Sequence, residues 1–130
     1  MSIPRVRRRW VVVALVVLLL AAVSYRLLDS PTWIYYYRIL DDRTLLAGTT
    51  AGPGAWVRVT DVVETPSTVT ITVRSLDIQL GPGTAEGVDY ESVANLHEPL
   101  GGRTVVDGSS GLPVQRAACP PPAVFAPVCP

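Results

Sequence analysis

Hydrophobic and polar positions fall into two regimes along the chain. From Trp10 to Val23, 14 successive residues are apolar, whereas beyond residue 30 apolar and polar positions alternate in short runs broken by Gly and Pro. The unbroken run predicts a lipid-embedded helix. Extended to Leu28 it holds 19 residues, or about 28 Å of helix at roughly 1.5 Å each, against a hydrocarbon core of about 30 Å. Arg26 near its end is accommodated if the guanidinium reaches up to the headgroups. Pro31 cannot continue a helix and disfavours helical geometry at Ser30, so "DSPTW" ends it.

The alternating regime predicts strands. Residues 33–40 are aromatic or aliphatic except Arg38; as a strand they put Trp33, Tyr35, Tyr37 and Ile39 on one face. Asp41-Asp42 marks a turn into "RTLLAGTT", and "AGPG" breaks the chain before "WVRVTDVVE", where Val57 and Val59 oppose Arg58 and Thr60. Thr65-Pro66-Ser67 turns into "TVTITVRSLDIQL". There Val69, Ile71 and Val73 share a face and Leu76, Ile78 and Leu80 take the other phase, which predicts a bulge near Arg74-Ser75. A long loop over "GPGTAEGVDYE", a short strand "SVANLHEPL", and a hairpin "RTVVDGSSGLPVQR" turning at Asp107–Gly111 follow. "CPPPAVFAPVCP" has the proline density of an extended tail. The expected fold is all-β: a small antiparallel β-sandwich or open barrel of about seven strands, preceded by one N-terminal transmembrane helix. The expected parts are a basic cytoplasmic tail (1–9), a signal-anchor helix (10–28), an extracytoplasmic β domain (31–116) and a Pro-rich tail (117–130).

Charge changes the picture by giving it a direction. Acids and bases balance at 11 each over 130 residues, and every base is Arg. They are not mixed: Arg5, Arg7, Arg8, Arg9 and Arg26 precede every acid, while from Asp29 onward 11 acids meet 6 arginines. Arginines ahead of the apolar run hold the N-terminus in the cytoplasm and send the body across. The acidic body excludes nucleic acid, which needs a basic face. The rival to an anchor is a cleavable signal peptide, since the run fits its apolar core and Ala22-Val23-Ser24 is a small-x-small site before Tyr25. That alternative makes the body a secreted soluble β-protein; Arg26 and Leu27-Leu28, following at once, favour the anchor. Trp33, Tyr35, Tyr36 and Tyr37 are candidates for a headgroup belt, for an ordinary first strand, or for a ligand-stacking platform.

Candidate chemistry is thin. His97 beside Glu98 has no further ligands at metal-binding spacing. Ser109 or Ser110 with His97 and Asp107 offers the residue types of a hydrolytic triad, but "DGSSG" is not a nucleophile elbow. The Gly-Pro-Gly stretches at 52–54 and 81–83 lack the Lys-Ser/Thr of a phosphate loop. Asp77, Glu86, Asp89 and Glu91 surround the long loop without EF-hand spacing, and are a solvated rim or a weak calcium site. Cys119 and Cys129 are candidates for one disulfide outside the cytoplasm.

"WVRVTDVVETPSTVTITVRSL" (56–76) and "LHEPLGGRTVVDGSSGLPVQR" (96–116) resemble small secreted or membrane-anchored β-proteins from high-GC Gram-positive bacteria. In these a Thr/Val-rich strand pair precedes Leu-x-x-Pro-Leu-Gly-x-Arg-x-Val-x-Asp. The resemblance implies the fold and the address, and brings no activity or catalytic residue. Arg103 is expected to pair with Asp107 or a neighbouring acid across the 99–102 turn. The expected role is a non-enzymatic interaction or accessory module at the cell envelope, with the membrane and an envelope protein as partners and no cofactor. A small envelope hydrolase is the alternative.

Overall fold

The computed structural model describes residues 5–77 and 86–117, with side chains from Arg9 onward. The apolar run forms α1 (Arg5–Leu28), which passes directly into β1 (Asp29–Thr32). Its stretch Arg9–Leu28 is long and apolar enough to cross a membrane, and none of it is buried against the rest of the protein. The remaining strands are β2 (Tyr36–Asp41), β3 (Thr44–Ala51), β4 (Trp56–Glu64), β5 (Thr68–Leu76), β6 (Val88–Asn95), β7 (Thr104–Asp107) and β8 (Gln115–Arg116). The Pro-rich tail from residue 118, with Cys119 and Cys129, lies outside the described residues, as do Ile78, Leu80 and the second Gly-Pro-Gly.

The strands make two sheets, sandwich-like and not closed into a barrel. One runs β1-β5-β4 with β7 also paired to β5; the other runs β6-β3-β2-β8. Sequential neighbours pair antiparallel, β2 with β3 through a turn at Asp42-Arg43, one residue past the expected Asp41-Asp42, and β4 with β5 through the expected turn at Thr65–Ser67. Two pairings, β5 with β7 and β2 with β8, are parallel. Between the sheets lie Leu45, Ala47, Val69, Ile71, Val73, Ala94 and Val105, all essentially inaccessible. They are the inward half of each alternation, so period-two patterning is what holds the sheets together.

Three expectations are corrected. The bulge is not at Arg74-Ser75, where β5 stays in register with both neighbours. It is in β4, where pairing shifts between Val59 and Asp61. The extra residue lets Val57 and Val59 before it and Val62 after it all pack on the core. Leu76 is buried on the outer face of its sheet, between Asp29 and Trp56. Residues 33–39 are not one strand: 33–35 cross from the first sheet to the second, held by Thr49 Oγ1 donating to Trp33 O (2.7 Å) and Tyr35 N donating to Gly48 O (2.9 Å). The hairpin at 107–111 has a single bridge, Val106 to Pro113, after which the chain leaves for the other sheet as β8.

The strand directions give the domain two ends. The helix, the 52–55 turn and the start of β6 share one; the turns at 41–44 and 64–68 and the 96–103 loop share the other. The nine residues of β5 connect them, about 27 Å at roughly 3.4 Å per residue.

Candidate functional site

At the end far from the helix, a groove of about 290 Å³ is lined by Glu64, Thr65, Pro66, His97, Glu98 and Arg103. The bulge in β4 puts Glu64 in phase with Val62. Leu96 and Leu100 are buried and fasten the 96–103 loop from below; their N–H groups donate to Arg43 O (2.8 Å) and Asp42 O (2.7 Å). Gly101 takes φ +54°, where a side chain would be strained, and so closes the turn.

Glu64 is the hub. Its Oε1 accepts from His97 N at 2.6 Å and contacts His97 Nδ1 at 3.1 Å; its Oε2 accepts from Arg103 Nη1 at 2.9 Å and Glu98 N at 3.2 Å. The His97 amide and then the Arg103 guanidinium hold this carboxyl down at about 2. Arg103, almost buried, also donates to Leu100 O (3.2 Å), Glu98 O (2.7 Å) and Pro99 O (2.8 Å). Its partner is therefore Glu64 and not Asp107. A carboxylate held so low is a weak base, and both of its oxygens are occupied. The arrangement is a latch tying the 96–103 loop to the end of β4. His97, with its side chain 92% exposed, faces outward from it.

A second groove, of about 240 Å³, lies where β1 crosses to β2. Trp33, Tyr35, Leu112 and Pro113 line it with Asp107 and Ser110. Trp33 (62%), Tyr35 (59%) and Leu112 (64%) are exposed although apolar, while Ile34 between the aromatics is buried. Asp107, 2% exposed, accepts from Ser109 N (3.0 Å), Ser109 Oγ (2.7 Å) and Ser110 Oγ (2.7 Å). Both serine hydroxyls thus bond the carboxylate directly, and the His97 ring bonds Glu64, so these four residues do not form a nucleophile–imidazole–acid relay.

The other sequence candidates separate. Tyr36 and Tyr37 are in β2: Tyr37 packs on the core, and Tyr36 covers Gly48 on the outer face. Tyr36 donates to Glu91 Oε1 (3.1 Å), and burial and Glu91 raise its phenol above the usual range. Glu91 also pairs with Arg38, and Asp89 accepts from Thr50 Oγ1 (2.8 Å). Among the described residues no group of three or more His, Cys, Asp or Glu is placed to hold a metal ion. Arg5, Arg7, Arg8 and Arg9 fall on the first turns of α1. Sequence reading missed Glu64, Leu112 and Pro113. The signal for Glu64 was the broken alternation of β4; the other two carry none.

Fold and grooves define a class: a β-sandwich carried on a single apolar N-terminal helix. Comparison of the chain with protein-family models, with curated proteins and with solved structures finds no match.

Proposed function

We propose that this is a single-pass membrane protein whose β domain serves as an interaction module on the outer face of the cell membrane. The observation that carries the reading is the direct passage of α1, a helix of membrane-spanning length, into β1. No linker separates anchor from domain. The arginines at 5 and 7–9, against Arg26 alone at the other end, support a cytoplasmic N-terminus. The resemblance of residues 56–76 and 96–116 to extracytoplasmic β-proteins of high-GC Gram-positive bacteria supports the same address.

The partner is another envelope protein, and Trp33, Tyr35 and Leu112 are the contact patch. Exposed aromatics around a shallow groove are the composition of an interface centre. A non-enzymatic role is supported by the polar side chains themselves: Glu64, Arg103, Asp107, Ser109 and Ser110 are engaged with one another or with backbone.

Intact mass of the native protein from membrane and culture-medium fractions tests the anchor. Full-length mass confined to membranes is expected. A product beginning at Tyr25 in the medium overturns it, since that product keeps all of β1 and would be a free secreted domain. A photo-crosslinking residue in place of Leu112 then tests the patch. A discrete adduct with one membrane protein is expected, absent when the probe replaces His97; equal labelling from both positions refutes the patch.

A further inference from the structure

Residues distant in sequence meet the end of the apolar helix beside β1. Strand pairing sets Asp29 of β1 opposite Leu76 of β5, and Leu76 opposite Trp56 of β4. Trp56 therefore shares a cross-strand row with the first residue after the helix, although 28 positions separate it from Leu28. In the adjacent row Arg58 lies opposite Arg74. Arg58 Nη2 donates to Tyr25 Oη at 3.2 Å, within the last turn of α1, and to Asp29 Oδ2 at 3.0 Å. Its guanidinium carbon stands 4.6 Å over the Trp56 ring. Arg74 Nε lies 3.4 Å from the same Asp29 oxygen, and its Nη2 donates to Asp29 O at 3.1 Å. Trp56 is 58% exposed and Tyr25 46% exposed.

We propose that Trp56, Tyr25, Arg58 and Arg74 form a seat in the lipid headgroup layer on which the sandwich stands. The occupant of this surface is the bilayer in which α1 is embedded, so the inference rests on the membrane-spanning reading of that helix. Contact fixes the depth: Tyr25 belongs to the apolar span, Arg58 bonds its phenol, and Trp56 stacks beneath Arg58. Amphipathic rings and arginines with apolar stems are the side chains that partition to this layer. Asp29, paired with both arginines, enters it as part of an ion triad and not as a lone carboxylate. The layer is about 5–8 Å deep on each side of the hydrocarbon. Trp33 follows all four residues of β1, about 13 Å at roughly 3.3 Å per residue. With β1 rising from the bilayer, Trp33 and its groove stand clear of the headgroups, open to the part of an envelope partner that projects from the membrane.

The chain has three tryptophans, Trp10, Trp33 and Trp56, and Trp10 marks the opposite end of the span. The full-length protein is placed in lipid nanodiscs as three single-tryptophan variants, the other two tryptophans in each replaced by Phe. Emission is compared between ordinary lipids and lipids brominated just below the headgroup. Trp56→Phe and Trp33→Phe fall at exposed rings, so the fold is kept. Expected is loss of about half or more of the emission of Trp10 and of Trp56, with Trp33 unchanged. Quenching of Trp10 without Trp56 overturns the seat and leaves the anchor standing. Equal quenching of Trp33 and Trp56 overturns the upright stance, since the domain would then lie flat. If Trp10 is not quenched either, the helix does not span, and anchor and seat fall together.

Discussion

Replacing Arg103 by Ala tests whether the distal groove is a latch. The side chain is nearly inaccessible and donates to three carbonyls, of Glu98, Pro99 and Leu100, and to the Glu64 carboxylate. The carbonyls regain water in the variant, so each bond is worth about 1 kcal/mol net, giving roughly 3 kcal/mol for the three. Loss of the packed stem adds about 1 kcal/mol. A loss of roughly 3–4 kcal/mol lowers the melting temperature of a domain this size by on the order of 15 °C or more. Arg103→Lys keeps the charge but cannot span the acceptors of a planar fork, and should recover less than half of the loss. Thermal and urea melts of the full-length protein in micelles, followed by circular dichroism, measure both. If the alanine variant loses less than about 1 kcal/mol, buried Leu96 and Leu100 alone hold the loop and the latch reading is wrong.

Two further outcomes follow from the same geometry. The Glu64 carboxyl is held at about 2 against an ordinary 4.5; because the folded value is the lower one, its contribution to stability is present above pH 4.5 and lost as pH falls towards about 2. Asp41, lowered by the Arg43 amide, acts in the same direction, so melting temperature against pH should flatten partly, not wholly, in Glu64→Gln; an unchanged profile refutes the assignment. A Cβ on Gly48 would fall inside the Tyr36 ring, so Gly48→Ala should cost about 1–2 kcal/mol. In a Tyr36→Ala background the same change should be neutral or stabilising, since alanine outperforms glycine in a strand. Equal losses in both backgrounds would show that the ring is not the reason.

What the sequence made legible was local. The apolar helix, the β2–β3 and β4–β5 turns and the inward faces of β5 and of the first half of β4 follow from runs, alternation and turn residues, each within a few positions. The misplaced bulge shows the limit. Leu76 breaks the phase of β5, but the register slip that relieves a phase change can sit on the partner strand, and here Thr60 takes it. Pro31 ends the helix and still sits within a strand, because β1 pairs on one side only and a proline without an N–H is tolerated on such an edge. The distal site was half legible: "EPLGGR" announced a tight turn holding an arginine, but its acid lies 39 residues upstream. The parallel pairings had no local signal, because parallel partners share neither a turn nor a sequence spacing.

Pairings between strands distant in sequence govern the order in which the domain can assemble. The strand that follows α1 is made early, yet Asp29 must wait for Leu76, and Tyr36, already paired with Gly48 on one side, for Gln115 on the other. The β2–β3 and β4–β5 hairpins can pair as soon as they are made, while β1 stays without its partner until Leu76 is in place. The segment from Thr104 to Arg116 arrives to finish one sheet as β7 and the other as β8, and Val114 N bonds Val105 O between them (2.8 Å). Closure of both sheets is thus one late event, slow in the manner of folds built on distant contacts. A chain interrupted before residue 104 would leave both sheets open at once.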